Sequence, residues 1–203
     1  MKQLIISIGR EFGSAGHEIA QRLAEHYGLK LYDKNLLKEI ADEKNLDHES
    51  LKEFDEKFRN KFLYRKVRNM NSSPEDNVAQ IQFNYLREKA KSGESFVVVG
   101  RCSETVLKEF PALISIFITG DMDCKLERIE RIYQLKGKEA RNFIFENNTK
   151  RKLYHNSHCK NTWGDSRNYD LLMNSSKLGM EGSIDMLIKY IDARRAIFEQ
   201  QDK

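Results

Sequence analysis

The sequence has few of the residues that interrupt helices and few of those that build disulfide scaffolds. It contains two prolines, one tryptophan and three cysteines in 203 residues. Because proline removes a helical hydrogen bond, its scarcity favours long helices. Cys102, Cys124 and Cys159 are odd in number and widely spaced. This pattern argues against a disulfide framework and favours free thiols in a reducing compartment.

Long apolar runs are also missing. No run reaches the roughly 18 apolar residues that a membrane-spanning helix needs. Residues 1–3 lead directly into an apolar segment, without a charged leader, an apolar block or a cleavage site. We therefore expect a cytoplasmic protein that does not associate with membranes.

Charge of one sign does not dominate. The 35 lysines and arginines exceed the 31 acidic residues by only four, giving a net charge of +4. A protein dedicated to nucleic acids more often has a concentrated basic face. We interpret the basic segment 57–68 as a solvated surface with packing aromatics. The balance indicates a soluble protein with mild affinity for small anions and no nucleic-acid partner.

Apolar segments of strand length alternate with amphipathic segments of helix length. The expected strands are residues 4–8, 29–32, 95–99, 113–119 and 169–174. The expected helices include 103–110, 121–136, 138–157 and 180–200. This alternation predicts a single α/β domain, residues 1–203, with a parallel sheet of about five strands and helices on both faces.

A glycine turn between the first strand and the first helix is the strongest local signal. Gly9, Gly13 and Gly16 fall in one short turn after an isoleucine-rich strand, and an amphipathic helix follows. Such a turn lets the backbone approach an anion at the positive end of a helix. The strict P-loop spacing is not met, since His17 stands where the lysine belongs. The stretch predicts a phosphate site of relaxed P-loop type.

Two charged residues follow predicted strands. Arg101 comes just after strand 95–99, and Asp33 comes just after strand 29–32, where it can also cap the next helix. The carboxyl ends of parallel strands form the edge at which open α/β sheets bind ligands. Arg101 is therefore predicted to face a ligand.

Five short stretches, taken in order, carry a family resemblance. They are GREFGSAGHEIA at 9–20, VGRC at 99–102, WGD at 163–165, YDL at 169–171 and NSS at 174–176. Together they resemble the cytidylate kinase-like family over nearly the whole chain. The resemblance implies a P-loop nucleoside-monophosphate-kinase fold. It also implies a helical insertion at 35–91 that binds the monophosphate and a lid at 136–159.

The resemblance further implies a reaction and its residues. The γ-phosphoryl group of ATP would pass, with Mg²⁺, to a nucleoside monophosphate, with CMP or dCMP favoured. The triphosphate would lie on Gly13, Ser14, Ala15, Gly16, His17 and Glu18, and Glu18 is the candidate magnesium ligand. Asp33, Arg101 and Asp170 would face the acceptor nucleotide. Arg128, Arg131 and Arg151 would supply lid charges at the transferred phosphoryl group, since phosphoryl transfer depends on positioning and charge neutralisation.

Because the sequence departs from the family pattern at three places, a second interpretation is a nucleotide-binding module without catalytic activity. His17 replaces a fixed cation, and Cys102 stands where cytidylate kinases have an aspartate after Gly-Arg. The lid pattern Asp-Lys-x-Arg reads NTKR at 148–151, which loses one charge of each sign.

Two other functions would use some of the same residues. In a nicotinamide-dependent oxidoreductase, the glycines and Asp33 would form a dinucleotide-binding fingerprint, and Tyr85 with Lys89 would form a catalytic pair. However, the third glycine, Gly16, lies one residue too late for that fingerprint, and Tyr85 precedes the strand 95–99, which is too early in the chain for such a pair. We expect Tyr85 and Lys89 to be a surface pair. His155, His158 and Cys159 could ligate zinc, but no fourth ligand stands at a finger-like spacing. We expect solvated histidines beside a free thiol.

Overall fold

The computed structural model describes residues 2–44 and 74–200. Its strands are β1 Ile5–Arg10, β2 Lys30–Tyr32, β3 Phe96–Val99, β4 Leu113–Thr119 and β5 Leu171–Asn174. Its α-helices are α1 Gly16–Tyr27, α2 Leu36–Lys44, α3 Pro74–Lys91, α4 Ser103–Val106, α5 Met122–Tyr133, α6 Gly137–His158 and α7 Ser175–Gln200. A short 3₁₀ helix spans Ser166–Asn168. The basic segment 57–68 and much of the predicted insertion lie outside the described residues.

The five strands form one parallel sheet in the order β2-β3-β1-β4-β5. The first strand, β1, is central: Ser7 aligns with Val98 on one side and with Ser115 on the other. The prediction of a parallel sheet of about five strands is confirmed. Because all strands run in one direction, the segments that follow β1, β3 and β4 meet at the same edge of the sheet.

The side chains of β1 alternate between two cores. Ile6 and Ile8 pack with α1 and α7, whereas Ile5 packs with α2 and α3 on the opposite face. This is the period-two alternation of a strand. Helices therefore cover both faces of the sheet, and β1 is buried between them, as its isoleucine-rich sequence predicts.

Two predicted helix boundaries differ from the structure. The helix expected at 103–110 is only α4, Ser103–Val106, because Leu107 leaves helical geometry with φ −108° and ψ 8°. The helix expected from residue 180 instead starts directly after β5 at Ser175 and contains a kink at Gly179, where φ is 66°. Left-handed backbone of this kind is accessible to glycine without a Cβ penalty.

The predicted lid, 136–159, coincides with α6 and its end. Helices α5 and α6 pack through Ile129, Ala140 and Ile144, and Phe12 from the glycine turn joins this cluster. Helices α5 and α6 therefore rest against the turn. No helix in ranges 2–44 and 74–200 combines the length and the apolar character needed to cross a bilayer.

Candidate active site

The glycine turn connects the end of β1 to the start of α1. Its backbone enters the left-handed region at Gly13, with φ 84°, and again at Ala15, with φ 62°. A Cβ at Gly16 would lie 2.5 Å from Arg10 Cβ, so only glycine fits there without displacement. Ala15 has no side-chain acceptor to cap α1. The first amides of the helix are thus available to an anion.

A cavity of about 970 Å³ opens beside this turn. Its walls are the turn itself, the segment 99–102 after β3, and residues of α5 and α6. Of the residues predicted from the sequence, it is lined by Gly13, Ala15, Gly16, His17, Glu18, Arg101, Arg128 and Arg151. Ser14 is buried and donates from its hydroxyl to the Glu11 carbonyl oxygen at 2.9 Å, so it supports the turn from within.

Besides Ser14, three predicted residues, Asp33, Arg131 and Asp170, are not among those that line the cavity. Arg131 lies exposed on α5. Asp170 Oδ2 accepts hydrogen bonds from the backbone N–H of Ser115 at 2.7 Å and from its hydroxyl at 2.9 Å. This carboxylate ties the start of β5 to β4, which is a structural role for Asp170.

His17 and Asp33 contact each other. The distance from His17 Nε2 to Asp33 Oδ2 is 2.8 Å, and the N–H of Asn35 donates to Asp33 Oδ1 at 2.9 Å. Burial of Asp33 favours its neutral form, but the bonds from Asn35 and His17 outweigh it and lower the pKa of Asp33. The His17 imidazole is therefore engaged with a carboxylate that follows β2.

Glu18 forms an ion pair with Arg128 of α5. The Glu18 side chain is half exposed, whereas that of Arg128 is mostly buried. The pair joins the start of α1 to α5. Glu18 would have to exchange this partner to bind a metal ion.

Lys125 is a residue of this region that sequence reasoning missed. Its Nζ lies 2.7 Å from Glu11 Oε2, and a Cβ at Gly13 would lie 3.1 Å from Lys125 Cβ. The pair holds the outside of the glycine turn against α5. A signal was present, because Lys125 precedes Arg128 by three residues, so that both lie on one face of the helix.

Helix α6 also contacts the turn through hydrogen bonds. Asn148 Oδ1 accepts from the N–H of Phe12 at 2.6 Å, and Arg151 Nη1 donates to the Arg10 carbonyl oxygen at 3.1 Å. The Arg151 guanidinium lies 5.1 Å from the centroid of the Phe12 ring. Burial lowers the pKa of Arg151 to about 10. Asn148, at one of the positions that depart from the family pattern, therefore forms a hydrogen bond with the glycine turn.

Arg10, Arg101 and Arg151 bring like charges together. Burial lowers the pKa of Arg10 well below its usual value, Arg151 and Arg101 lower it further, and Asp33 opposes them. Arg10 Nε is buried and lacks a hydrogen-bond partner among the described residues. A Cβ at Gly100 would collide with Arg10 Nη1. Several guanidinium groups close together are typical of a site for an anion.

The end of α6 differs from expectation. His155 is buried rather than solvated; its Nε2 lies 2.7 Å from Glu104 Oε1. Burial lowers the pKa of His155, but bonds to Cys159 and Glu104 raise it to about 10 overall. The Cys102 thiol is also buried and lies near Cys159. The expectation that His155 is an exposed histidine is wrong.

Tyr85 is also not a surface residue. It is fully buried, packs edge-on against Tyr32 and donates to Glu43 Oε2 at 2.6 Å. It belongs to the core between α3 and the sheet, which explains its position better than a role in hydride transfer. The strand order also differs from the dinucleotide-binding order 3-2-1-4-5-6.

Similarity to known proteins was found at three levels. The model of the cytidylate kinase-like family matches residues 5–177. A cytidylate kinase from Methanopyrus kandleri is 27% identical over 212 aligned residues, covering 98% of this chain and 97% of that protein. The crystal structure of an uncharacterized protein from Eubacterium ventriosum is 40% identical, with a TM-score of 0.74, covering 94% of this chain and 99% of that one.

A more distant structure shares the fold. Shikimate kinase from Bacteroides thetaiotaomicron superposes with a TM-score of 0.55 at 14% identity, covering 93% of this chain and 98% of its own. At that identity the likeness concerns the fold alone, and it supports the P-loop kinase architecture predicted from the sequence. The family match extends over most of the chain, from β1 to the start of α7. The chain therefore belongs to the cytidylate kinase-like family.

Proposed function

We propose that this protein transfers the γ-phosphoryl group of ATP to a nucleoside monophosphate, with CMP or dCMP as the preferred acceptor. The observation that carries the proposal is one cavity with two anion-binding features: the amides of the glycine turn, and the arginines Arg10, Arg101 and Arg151. A reaction between two phosphate-bearing substrates needs an anion-binding feature for each of them. Family membership and the kinase fold support a nucleotide kinase. We expect it to act in the cytoplasm, where thiols stay reduced.

The donor side would rely on backbone more than on side chains. Residues 13–18 present the first amides and the positive end of α1, and an oxyanion there gains from both. His17 contributes less directly, because its Nε2 faces Asp33. The pair fixes the start of α1 relative to β2, so the triphosphate would find a preformed cradle.

The acceptor side would rely on arginine. A planar guanidinium matches two phosphate oxygens at once. Arg101 follows β3, at the edge where the acceptor is expected, with φ 60° directing its backbone into the left-handed region. Asp33 would contact the acceptor nucleotide from the neighbouring strand. The insertion at 35–91 remains our proposal for the monophosphate-binding segment.

The lid would neutralise charge and exclude water. Arg151 and Arg128 line the cavity from α6 and α5, and Arg131 is proposed as a further lid charge. No covalent enzyme intermediate is needed, because positioning and charge neutralisation suffice for phosphoryl transfer. Closing the lid would also keep water from competing as the acceptor.

Mg²⁺ fits this cavity as an ion held mainly by phosphate oxygens and water. The carboxylate best placed to join it is Glu18, at the start of α1. When bound to ATP, Mg²⁺ neutralises the phosphate oxygens and orients them. Glu18 and Arg128 are already paired, so we infer that nucleotide binding rearranges this contact.

A non-catalytic nucleotide-binding module is the second candidate. The observation that favours it is the His17–Asp33 contact, which engages the residue at the P-loop lysine position. In this case the cavity would bind ATP without turnover.

A coupled assay with ATP, Mg²⁺ and a panel of nucleoside monophosphates tests the proposal. We expect ADP formation that depends on the acceptor and is fastest with CMP or dCMP. A thermal-shift series with the same nucleotides separates binding from turnover, since a ligand of the folded state raises apparent stability. Stabilisation by ATP without turnover of any acceptor would favour the non-catalytic module. Turnover only with an acceptor that is not a nucleotide would overturn the acceptor class.

A further inference from the structure

Three potential metal ligands from two distant parts of the chain meet beside the cavity. One ligand atom from each of Cys102, His155 and Cys159 lies within 4.8 Å of the others. Cys102 and His155 are buried, and Cys159 is partly buried. We call this group the Cys-His cluster. Because Cys102 follows β3 whereas the other two end α6, the fold itself creates the cluster.

The local backbone directs these side chains toward one another. His155 and Cys159 are four residues apart, so they share one face at the end of α6, and the Cys159 N–H donates to the His155 carbonyl oxygen at 2.8 Å. Cys102 has a φ of 55°, an unfavourable left-handed conformation for a residue with a Cβ. This conformation is maintained directly opposite the two residues of α6.

A buried carboxylate supports the histidine. Glu104 Oε1 accepts from Thr105 Oγ1 at 2.9 Å and lies 2.7 Å from His155 Nε2. Metal-binding histidines commonly donate their second ring N–H to a carboxylate, which fixes the tautomer and the ring orientation. The other nitrogen, Nδ1, has a longer contact of 3.2 Å with Asn156 Oδ1, and it is the nitrogen that could exchange its partner for a metal ion.

The donor atoms indicate the class of metal. Two thiols and one imidazole suit Zn²⁺, whereas Mg²⁺ and Ca²⁺ prefer oxygen ligands. A disulfide between Cys102 and Cys159 would leave His155 and Glu104 without a role. A metal ion would use all three ligands together with the supporting carboxylate.

We propose that Cys102 Sγ, Cys159 Sγ and His155 Nδ1 bind one Zn²⁺ ion, with Glu104 as the positioning residue. Three protein ligands leave a fourth position for water or another ligand. That position would face the cavity, which Cys102 and His155 help to line. The ion would connect the end of the lid helix α6 to the segment that contains Arg101. This site is separate from the proposed magnesium site and does not depend on phosphoryl transfer.

Cobalt is a suitable probe, because Co²⁺ occupies zinc sites and absorbs visible light. The full chain, freed of metal and reduced with a phosphine, is titrated with Co²⁺. We expect one Co²⁺ per chain, with tetrahedral d–d bands and a thiolate charge-transfer band, and displacement by Zn²⁺ should remove both. Zn²⁺ alone should raise the unfolding temperature of the wild type.

Variants then test each ligand. Cys159→Ser is the main variant, because its partly buried side chain tolerates substitution best. Cys102→Ser and His155→Gln should also lose the charge-transfer or d–d bands. Glu104→Gln should weaken the affinity about 10- to 100-fold. Cys124→Ser is the matched control, since Cys124 is a free, exposed cysteine outside the cluster. Circular dichroism verifies that each variant is folded.

Three results would overturn the proposal. One is the absence of tetrahedral bands in the reduced wild type, with no stabilisation by Zn²⁺. Another is an equal loss of the bands in Cys124→Ser and Cys159→Ser. The third is a Cys102–Cys159 disulfide, seen as the loss of two hydrogens by mass spectrometry, in a protein whose reduced form binds neither metal.

Discussion

The two sides of the cavity differ in how their charged side chains are arranged. On the side of the glycine turn, every charged side chain described above has an opposite partner: Glu11 with Lys125, Glu18 with Arg128, and His17 with Asp33. On the other side, Arg10, Arg101 and Arg151 lie close together. The charges of Arg151 and Arg101 lower the pKa of Arg10, and the charge of Asp33 raises it. The first side joins opposite charges in pairs, while the second brings three guanidinium groups close together.

This contrast separates two ways of binding phosphate. A cradle of backbone amides is neutral, so its neighbouring side chains can pair and hold its shape. A cluster of guanidinium groups is repulsive until phosphate enters, and this favours binding because the anion relieves the repulsion. We therefore expect substitutions on the arginine side to reduce activity and those on the glycine-turn side to reduce stability.

The largest effect is expected for Arg151→Ala. Arg151 lines the cavity, whereas Arg131 lies exposed on α5. Since an arginine at the transferred phosphoryl group can contribute about 10³-fold or more, we expect a loss of that order in kcat/KM for Arg151→Ala. Arg131→Ala should show a much smaller loss in the same assay.

Thermal unfolding of Arg151→Ala shows whether the loss is due to misfolding, because Arg151 also bonds the Arg10 carbonyl oxygen. Arg22→Ala is the control, since Arg22 pairs with Glu181 on the outer face of α1. Equal losses for Arg151→Ala and Arg131→Ala would contradict the division of the lid arginines by position.

On the glycine-turn side, Lys125→Met should reduce stability. It leaves Glu11, which is about one-quarter exposed, without its cation. Breaking a buried pair costs several kcal/mol, and the solvent contact of Glu11 reduces this to about 2 kcal/mol in our expectation. Urea denaturation measures the change, and Glu11→Gln combined with Lys125→Met should recover part of it. If Lys125→Met alone is as stable as the wild type, the pair of Glu11 and Lys125 does not hold the turn.

Arg101→Ala should separate acceptor from donor. Loss of a hydrogen bond to a charged group corresponds to a factor of about 10 to 100, so we expect CMP binding to weaken by that factor while ATP affinity changes by less than about twofold. Calorimetric titration with each nucleotide measures both. Equal weakening of CMP and ATP would place Arg101 between the two substrates instead of on the acceptor side.

The sequence predicted the fold well because its signals are local. The isoleucine-rich β1, the glycines that follow it and the amphipathic α1 each define their own element, and the parallel sheet follows from their alternation with helices. The family resemblance, likewise, depends on the order of short motifs. The start of α7 at Ser175 was predicted five residues too late, because Gly179 interrupts the helical backbone close to that start.

The partners within the site could not be predicted in the same way. His17 and Asp33 are 16 residues apart, and Glu18 and Arg128 are 110 apart. Their contacts exist only because parallel strands end at one edge and α5 packs beside it. The Cys-His cluster is a further case, since the sequence shows a histidine and a thiol on α6 but not the thiol of Cys102 opposite them.

The smallest effect concerns the His17–Asp33 pair and its dependence on pH. The folded pKa of Asp33 lies below its unfolded value of about 3.9. Its stabilising contribution is therefore complete above the unfolded pKa and is lost as the pH falls through the folded pKa.

We expect the free energy of unfolding to decrease less steeply below about pH 5 in Asp33→Asn than in the wild type. Urea denaturation of both proteins between neutral and acid pH measures this difference. Asparagine retains an acceptor for the Asn35 N–H, and its amide nitrogen replaces the oxygen that faces His17, so the variant removes the charge of the pair and that acceptor together. An identical pH dependence in both proteins would show that the pair contributes geometry alone, and that the glycine-turn side owes its stability to Glu11 and Lys125.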